Sequence, residues 1–259
     1  SHEILRVFQD RLNSAADRDR FKGYLNEQLE TIFQMNYEEH CTTGGEDALF
    51  VDFLNENALV YEEVTDLPKL RAYLNDKLAQ YNLQPKLIKM DLVLFKDAIT
   101  HVAKIYRVLN LKRGHAFLVG VGGSGRHSLT RLAAFISQMN VFQLEVTKGF
   151  ALKQFREFLK VMYEMAAFRG KDKLKTVFIF SDNDVVQESF LEDIQNMLNG
   201  GVVPNLYNAD ELGKIREEIR RPFKKAGNTV ETPDAMNEFF FSSIKDNLHL
   251  SICMSPIGE

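Results

Sequence analysis

The glycine-rich stretch from Gly120 to Gly125 is the part of this sequence best suited to chemistry. It follows a short apolar run at 116–119, and Arg126 then begins a segment with helical spacing. Between a strand and a helix, consecutive backbone N–H groups converge on a phosphate, and the helix dipole adds about half a positive charge. Glycine is needed where the turn takes a positive φ and where a Cβ would hold the phosphate away. The pattern predicts a phosphate-binding loop.

Two phosphate-binding motifs overlap in this loop. In the pattern G-x-x-x-x-G-K-[ST], Gly120 and Gly125 fit, but Arg126 stands at the lysine and His127 at the hydroxyl that binds magnesium. The shorter pattern G-x-G-x-x-G is complete in the same letters. Glu145 follows Gly125 by 20 residues, where a dinucleotide-binding fold keeps its ribose-binding carboxylate. The residues alone indicate phosphate binding and leave open an ATP-type site, an NAD-type oxidoreductase and a tight turn without a ligand.

A second group of polar residues, from Ser181 to Asp184, follows the apolar run 175–180. In a P-loop NTPase this strand ends in an aspartate that holds hydrated Mg²⁺, often followed by a glutamate that orients water. We expect the strand to lie beside the one that precedes the glycine loop. Either Ser181 or Asp182 takes the metal position, and both alignments lack the full Asp-Glu pair. The alternative is that Asp182 and Asp184 cap the helix around Phe190.

Apolar periodicity places both groups in an α/β fold. Four apolar runs alternate with segments of helical spacing, at 116–119, 141–146, 175–180 and 248–254. Such runs are typical of an open parallel sheet flanked by helices. A further helical stripe, with one buried face, runs from Phe95 to Leu109. Residues 1–85 are predicted to be packing helices and a linker without chemistry of their own.

Composition excludes several functional classes. A formal net charge of −4 over 259 residues argues against a surface built for nucleic acid or an anionic membrane. Cys41 and Cys253 lie far apart, so no disulfide framework is expected. No apolar run approaches membrane-spanning length and no signal peptide opens the sequence. We expect an intracellular protein and, from the abrupt ends of the sequence, a fragment of a longer chain.

Three stretches carry a resemblance to a known family: GHAFLVGVGGSGRHSLTRLAAFI, VFIFSDNDVVQESFLEDIQNMLNGGVVPNLY and NLHLSICMSPIG. They resemble the fourth AAA+ module of axonemal dynein heavy chains. The resemblance implies that residues 86–259 form the large α/β subdomain of a P-loop AAA+ module, without its small subdomain and the stalk. It also implies that residues 1–85 are the end of the preceding module and a linker. The family builds a ring of six such modules, and ATP hydrolysis at the first drives movement on microtubules.

The resemblance also implies roles for individual residues. It assigns the phosphate loop to Gly120, Val121, Gly122, Gly123, Ser124, Gly125, Arg126, His127 and Ser128. It places Leu92 and Val93 against adenine, Ser181 at the metal-binding aspartate position and Asp182 at the catalytic glutamate position. Ser255 stands where an active site of this class has a water-sensing asparagine. Ser128 and Asp182 are the remaining candidates for a metal contact.

Three departures from the family pattern shape the expected function. Arg126 keeps the positive charge of the usual lysine, whereas His127 offers no hydroxyl and Ser181 no anionic oxygen to magnesium. We therefore expect a module that binds ATP or ADP, with Mg²⁺ left open, and that regulates a microtubule motor without hydrolysing ATP. The alternative is a structural ring spacer that holds no nucleotide.

The resemblance implies a set of partners and a place in the cell. The partners are the neighbouring AAA+ modules, the microtubule through the stalk, and dynein intermediate and light chains, with no nucleic acid and no membrane. The place is the cytoplasmic cytoskeleton, in the axoneme of a cilium or flagellum.

Overall fold

The computed structural model describes residues 2–43, 46–55, 60–169 and 175–256. The chain divides into two compact units, Ser1–Tyr73 and Leu74–Glu259. The division predicted at residue 85 stays a prediction. Within the described residues, no helix is long and apolar enough to cross a membrane.

Short helices and two small hairpins make up the first unit. Its helices are α1 (His2–Phe8), α2 (Ala15–Gln28) and α3 (Tyr37–Cys41), and its strands are β1 (Thr42–Thr43), β2 (Glu46–Asp47), β3 (Phe50–Val51) and β4 (Glu62–Glu63). Both strand pairs, β1 with β2 and β3 with β4, are antiparallel. Ser14 caps α2 by accepting the N–H of Asp17 at 3.4 Å. A small core of Leu5, Leu25, Tyr37 and Cys41 holds the helices together.

Alternating strands and helices make up the second unit. Helix α4 (Leu67–Asn82) leads into it, followed by α5 (Lys96–Asn110), β5 (Ala116–Val119), α6 (Arg126–Ile136), β6 (Asn140–Gln143), α7 (Leu152–Glu164), β7 (Thr176–Ser181), α8 (Glu188–Gly200), α9 (Ala209–Lys225), α10 (Pro233–Asn247) and β8 (Leu248–Met254). The four strands β5 to β8 form one parallel sheet. The predicted α/β fold with an open parallel sheet and flanking helices is confirmed.

The core of this unit follows from side-chain alternation along the two central strands. Phe178 and Phe180 of β7, with Leu250 and Ile252 of β8, pack in one apolar cluster with α7 to α10. Ser251 lies between Leu250 and Ile252 in β8, and its side chain points to the opposite face of the sheet. There it contacts α6, with its Oγ 3.0 Å from the Oγ of Thr130. Because successive side chains point to opposite faces, helices cover both sides of the sheet.

Strand order in the sheet differs from one expectation. The order is β5-β8-β7-β6, so β8 lies between the strand before the glycine loop and the strand that ends at Ser181. The expectation that these two strands are neighbours is wrong. Since all four strands are parallel, the segments after Val119, Ser181 and Met254 still meet at one edge. The fourth strand therefore brings Ser255 between the other two groups.

Two smaller expectations also change. Phe95 is 57% exposed and precedes α5 as its N-cap, so it does not belong to the buried stripe of that helix. Strand β6 covers only Asn140–Gln143, shorter than the predicted run to residue 146. The residues between Phe95 and Leu109 on the stripe are buried as predicted: Ile99, Val102 and Tyr106.

Candidate functional site

The glycine loop joins the end of β5 to the start of α6. Gly123 and Gly125 have φ values of 79° and 80°, a left-handed conformation that residues with a Cβ rarely adopt. A Cβ added to Gly120 would lie 2.8 Å from the Oγ of Ser124, too close for ordinary packing. The backbone path therefore favours glycine at positions 123 and 125, whereas at Gly120 a Cβ would require the Ser124 side chain to move.

The first turn of α6 is arranged for an anion. Gly125 is the N-cap and has no side chain to accept from the N–H groups of that turn, which contains no acidic residue. The first helical bond runs from the N–H of Leu129 to the carbonyl of Gly125 at 2.8 Å. The N–H groups before it are left for a ligand, at the positive end of the helix dipole. A phosphate group fits this cradle.

Arg126 is tied to the backbone on two sides. Its Nη1 donates to the carbonyl oxygen of Met254, and its Nη2 donates more weakly to the carbonyl oxygen of Val121 at 3.4 Å. The same Met254 oxygen accepts the N–H of Gly120 at 3.2 Å. The residue at the lysine position thus connects the glycine loop to the end of β8.

Asp182 and Ser255 are brought together from the ends of two neighbouring strands. The Oδ2 atom of Asp182 accepts the N–H of Ser255 at 2.9 Å, and its Oδ1 atom accepts the N–H of Asn183 at 3.1 Å. Hydrogen bonding from Ser255 is the largest cause that lowers the pKa of Asp182, and the positive charge of Arg126 acts in the same direction. Each oxygen of the Asp182 carboxylate therefore already accepts one backbone N–H group.

Ser181 is 3% exposed and has a different partner. Its N–H and its Oγ both donate to the Oδ2 atom of Asp184, each at 2.8 Å. The alternative in which Asp182 and Asp184 cap the following helix is wrong, because α8 begins at Glu188 with Gln187 as an N-cap that makes no side-chain bond. Sequence reasoning missed Asp184 as the partner of Ser181, although the spacing S-x-x-D is the signal of a reciprocal cap.

The donor set does not fit hydrated Mg²⁺. His127 stands at the hydroxyl position with an imidazole whose pKa is lowered by burial and by the charge of Arg131. Ser128 lies one residue later, about 100° further round the helix. Ser181 is committed to Asp184. Among the residues that the structure describes, no group of three or more His, Cys, Asp or Glu is placed to hold a metal ion.

Of the two residues expected beside adenine, Leu92 lies beside the glycine loop. The Cδ1 atom of Leu92 lies 3.9 Å from the position that a Cβ on Gly125 would take. Val93 is 78% exposed. The contact of either residue with a bound base stays a prediction.

Glu145 is in the wrong place for a ribose. It follows β6, which is separated from β5 by two other strands, whereas a dinucleotide-binding fold places the carboxylate on the strand next to the glycine loop. Three strand intervals amount to about 14 Å. The dinucleotide alternative is therefore wrong.

Comparison with known proteins points to the same class of site. Residues 90–259 match the model of a family described as the P-loop containing dynein motor region D4. The whole chain is 42% identical to the Dynein-1-beta heavy chain, flagellar inner arm I1 complex, of Chlamydomonas reinhardtii. It is 41% identical to Dynein axonemal heavy chain 2 of Mus musculus and 39% identical to Dynein axonemal heavy chain 6 of Homo sapiens. The chain spans 6% of the length of each of these relatives.

Proposed function

This chain belongs to the dynein heavy-chain family, in its P-loop containing motor region D4, and on that premise we propose that it binds ATP or ADP without turning ATP over. The observation that carries the proposal is the glycine cradle before α6, with its left-handed Gly123 and Gly125 and its uncapped first turn. Loop N–H groups and Arg126 hold the phosphates, and Leu92 contacts the base.

Lack of turnover follows from the groups that flank the loop. The N–H groups of Ser255 and Asn183 fix the orientation of the Asp182 carboxylate, whose side chain is one methylene shorter than the usual glutamate and so reaches less far towards an attacking water. Ser181 supplies no negative charge, and His127 no hydroxyl. The loss of one preorganised electrostatic contact costs about 10²–10³ in rate, and several such losses leave little catalysis even if they do not simply add.

The role that follows is regulatory. A module that binds nucleotide without hydrolysing it can still respond to ATP or ADP and pass that response to adjacent parts of the motor. We place it in an axonemal motor that moves on microtubules, because the similar heavy chains are named as axonemal or flagellar. Its partners are then the neighbouring AAA+ modules, the microtubule through the stalk, and the intermediate and light chains.

Arg126→Ala is expected to weaken ADP and ATP binding by about 10- to 100-fold, because a charged hydrogen bond to phosphate contributes about 1.5–3 kcal/mol. Fluorescence titration with a labelled nucleotide measures the affinity. Arg221→Ala is the matched control, since Arg221 is an exposed arginine of α9, and it should change the affinity less than about twofold.

The same titrations, carried out once with Mg²⁺ and once with EDTA, test whether nucleotide binding depends on the metal. We expect similar affinities, since the donor set does not fit Mg²⁺. A strict requirement for Mg²⁺ would instead assign the metal contact to Asp182 or Ser128.

One observation favours the ring spacer as a second candidate. The guanidinium of Arg126 already has two carbonyl partners, so the loop can be stable without a phosphate. The spacer predicts that neither nucleotide binds at millimolar concentration, and that result would replace the nucleotide-binding proposal.

A further inference from the structure

The carbonyl of Met254 is the point where the glycine loop meets the end of β8. It accepts from Gly120 and from Arg126, and so joins the first residue of the loop and the first residue of α6 to one atom. The next residue, Ser255, donates its N–H to Asp182. One peptide unit, between Met254 and Ser255, therefore contacts the loop on one side and the end of β7 on the other.

We propose that Arg126 is a positioning residue, which holds the Met254–Ser255 peptide against Asp182 and releases it when a nucleotide phosphate binds the loop. The release rests on the proposed function, since it requires a nucleotide at residues 120–128. The positioning does not, because both bonds of Arg126 to backbone carbonyls are present in the protein itself.

The release follows from competition between two acceptors for the guanidinium of Arg126, a phosphate oxygen and the carbonyl oxygen of Met254. A phosphate oxygen carries negative charge, and a charged donor bonds it more strongly than it bonds a neutral peptide carbonyl. Arg126 is the first residue of α6, beside the N–H groups that would cradle the phosphate. Its guanidinium is a rigid plane, so turning towards the phosphate moves Nη1 and Nη2 together. The bond to Val121, at 3.4 Å, is weak and offers little resistance, and the same turn draws Nη1 away from the carbonyl oxygen of Met254.

The end of β8 is sensitive to that change. The regular pairing of β7 with β8 ends at Ser181 and Cys253, so beyond it the two strands are joined through Asp182 and Ser255. A phosphate on the loop would also bring negative charge towards the carboxylate of Asp182, whose charge Arg126 partly balances. Both effects weaken the hydrogen bond from Ser255 to Asp182. The effect of nucleotide binding at the loop is thereby transmitted to the chain after β8.

Hydrogen exchange of the Ser255 amide tests this inference. Exchange is measured residue by residue in the wild-type chain, in Arg126→Ala and in Arg126→Lys, with Arg221→Ala as the control. Each is studied without ligand, with ADP and with ATP, and nucleotide binding is titrated separately in the same buffer. Without ligand, we expect Arg126→Ala to exchange Ser255 about fivefold faster than the wild type, since one hydrogen bond is lost. Arg126→Lys should also speed exchange at Ser255, because one ammonium group does not reproduce the two bonds of the guanidinium to backbone carbonyls.

Each outcome decides one of the two proposals. In the wild type, bound ADP or ATP should speed exchange at Ser255 and slow it in the loop. Bound nucleotide with unchanged or slower exchange at Ser255 would overturn the release. If the Ser255 amide of ligand-free Arg126→Ala exchanges at the wild-type rate, the positioning role of Arg126 is wrong. If the titration finds no nucleotide binding, the proposed function fails, and the ligand-free comparison still decides whether Arg126 positions Ser255.

Discussion

Phe180→Ala is expected to lower the free energy of unfolding by about 3–5 kcal/mol, since it removes a fully buried aromatic ring and leaves a cavity. Phe180 lies in β7 with its ring 6.5 Å from that of Phe155, which in turn stacks on Phe190 at 4.2 Å. Urea unfolding followed by circular dichroism measures the change.

The sheet offers a matched control for this substitution. Phe117 lies in β5 and is 67% exposed, so Phe117→Ala should cost less than about 1 kcal/mol. Equal losses for the two variants would contradict the side-chain alternation and the strand order described above. Because Asp182 follows β7 directly, Phe180→Ala should also weaken nucleotide binding as the protein loses structure.

Asp184→Ala is expected to cost about 2–4 kcal/mol of unfolding free energy. The substitution leaves the N–H and the Oγ of Ser181 buried without their acceptor, and each unsatisfied buried group costs about 1–3 kcal/mol. Asp184→Asn keeps an acceptor oxygen and should cost clearly less. The same urea experiment measures both variants.

Asp182→Ala is the comparison that separates the two carboxylates. Asp182 accepts two N–H groups near the surface, where water can replace it, so its loss should cost about 1 kcal/mol. A larger loss for Asp182→Ala than for Asp184→Ala would mean that Asp184 does not hold the turn after β7.

Local features of the site could be predicted from the sequence, because each depends on neighbours in the chain. The glycine loop, the start of α6 at Arg126 and the polar turn after β7 follow from residue types over a few positions. Gly201, which ends α8 with a φ of 77°, is of the same kind. The roles of individual site residues as ligand contacts stay predictions until binding is measured.

Long-range features could not be predicted in the same way. Which strand lies beside β5 depends on pairing between residues more than 100 positions apart, and the apolar runs of all four strands look alike. The partners of Arg126 and Asp182 depend on that order, since Met254 and Ser255 reach them only because β8 is central. The dinucleotide motif is misleading for the same reason: its glycines match, but its carboxylate, Glu145, follows a strand that is distant from β5.

The most direct test of the central claim is to identify the nucleotide that stays on the protein. The chain is mixed with Mg²⁺ and ATP labelled at the γ-phosphate, free nucleotide is removed by rapid gel filtration, and the retained label is analysed by chromatography. We predict that the label stays with the protein as intact ATP and is lost in Arg126→Ala. Release of labelled phosphate at about 1 per second or faster, as in active enzymes, would contradict the absence of turnover. A wild-type chain that retains no label would contradict nucleotide binding itself.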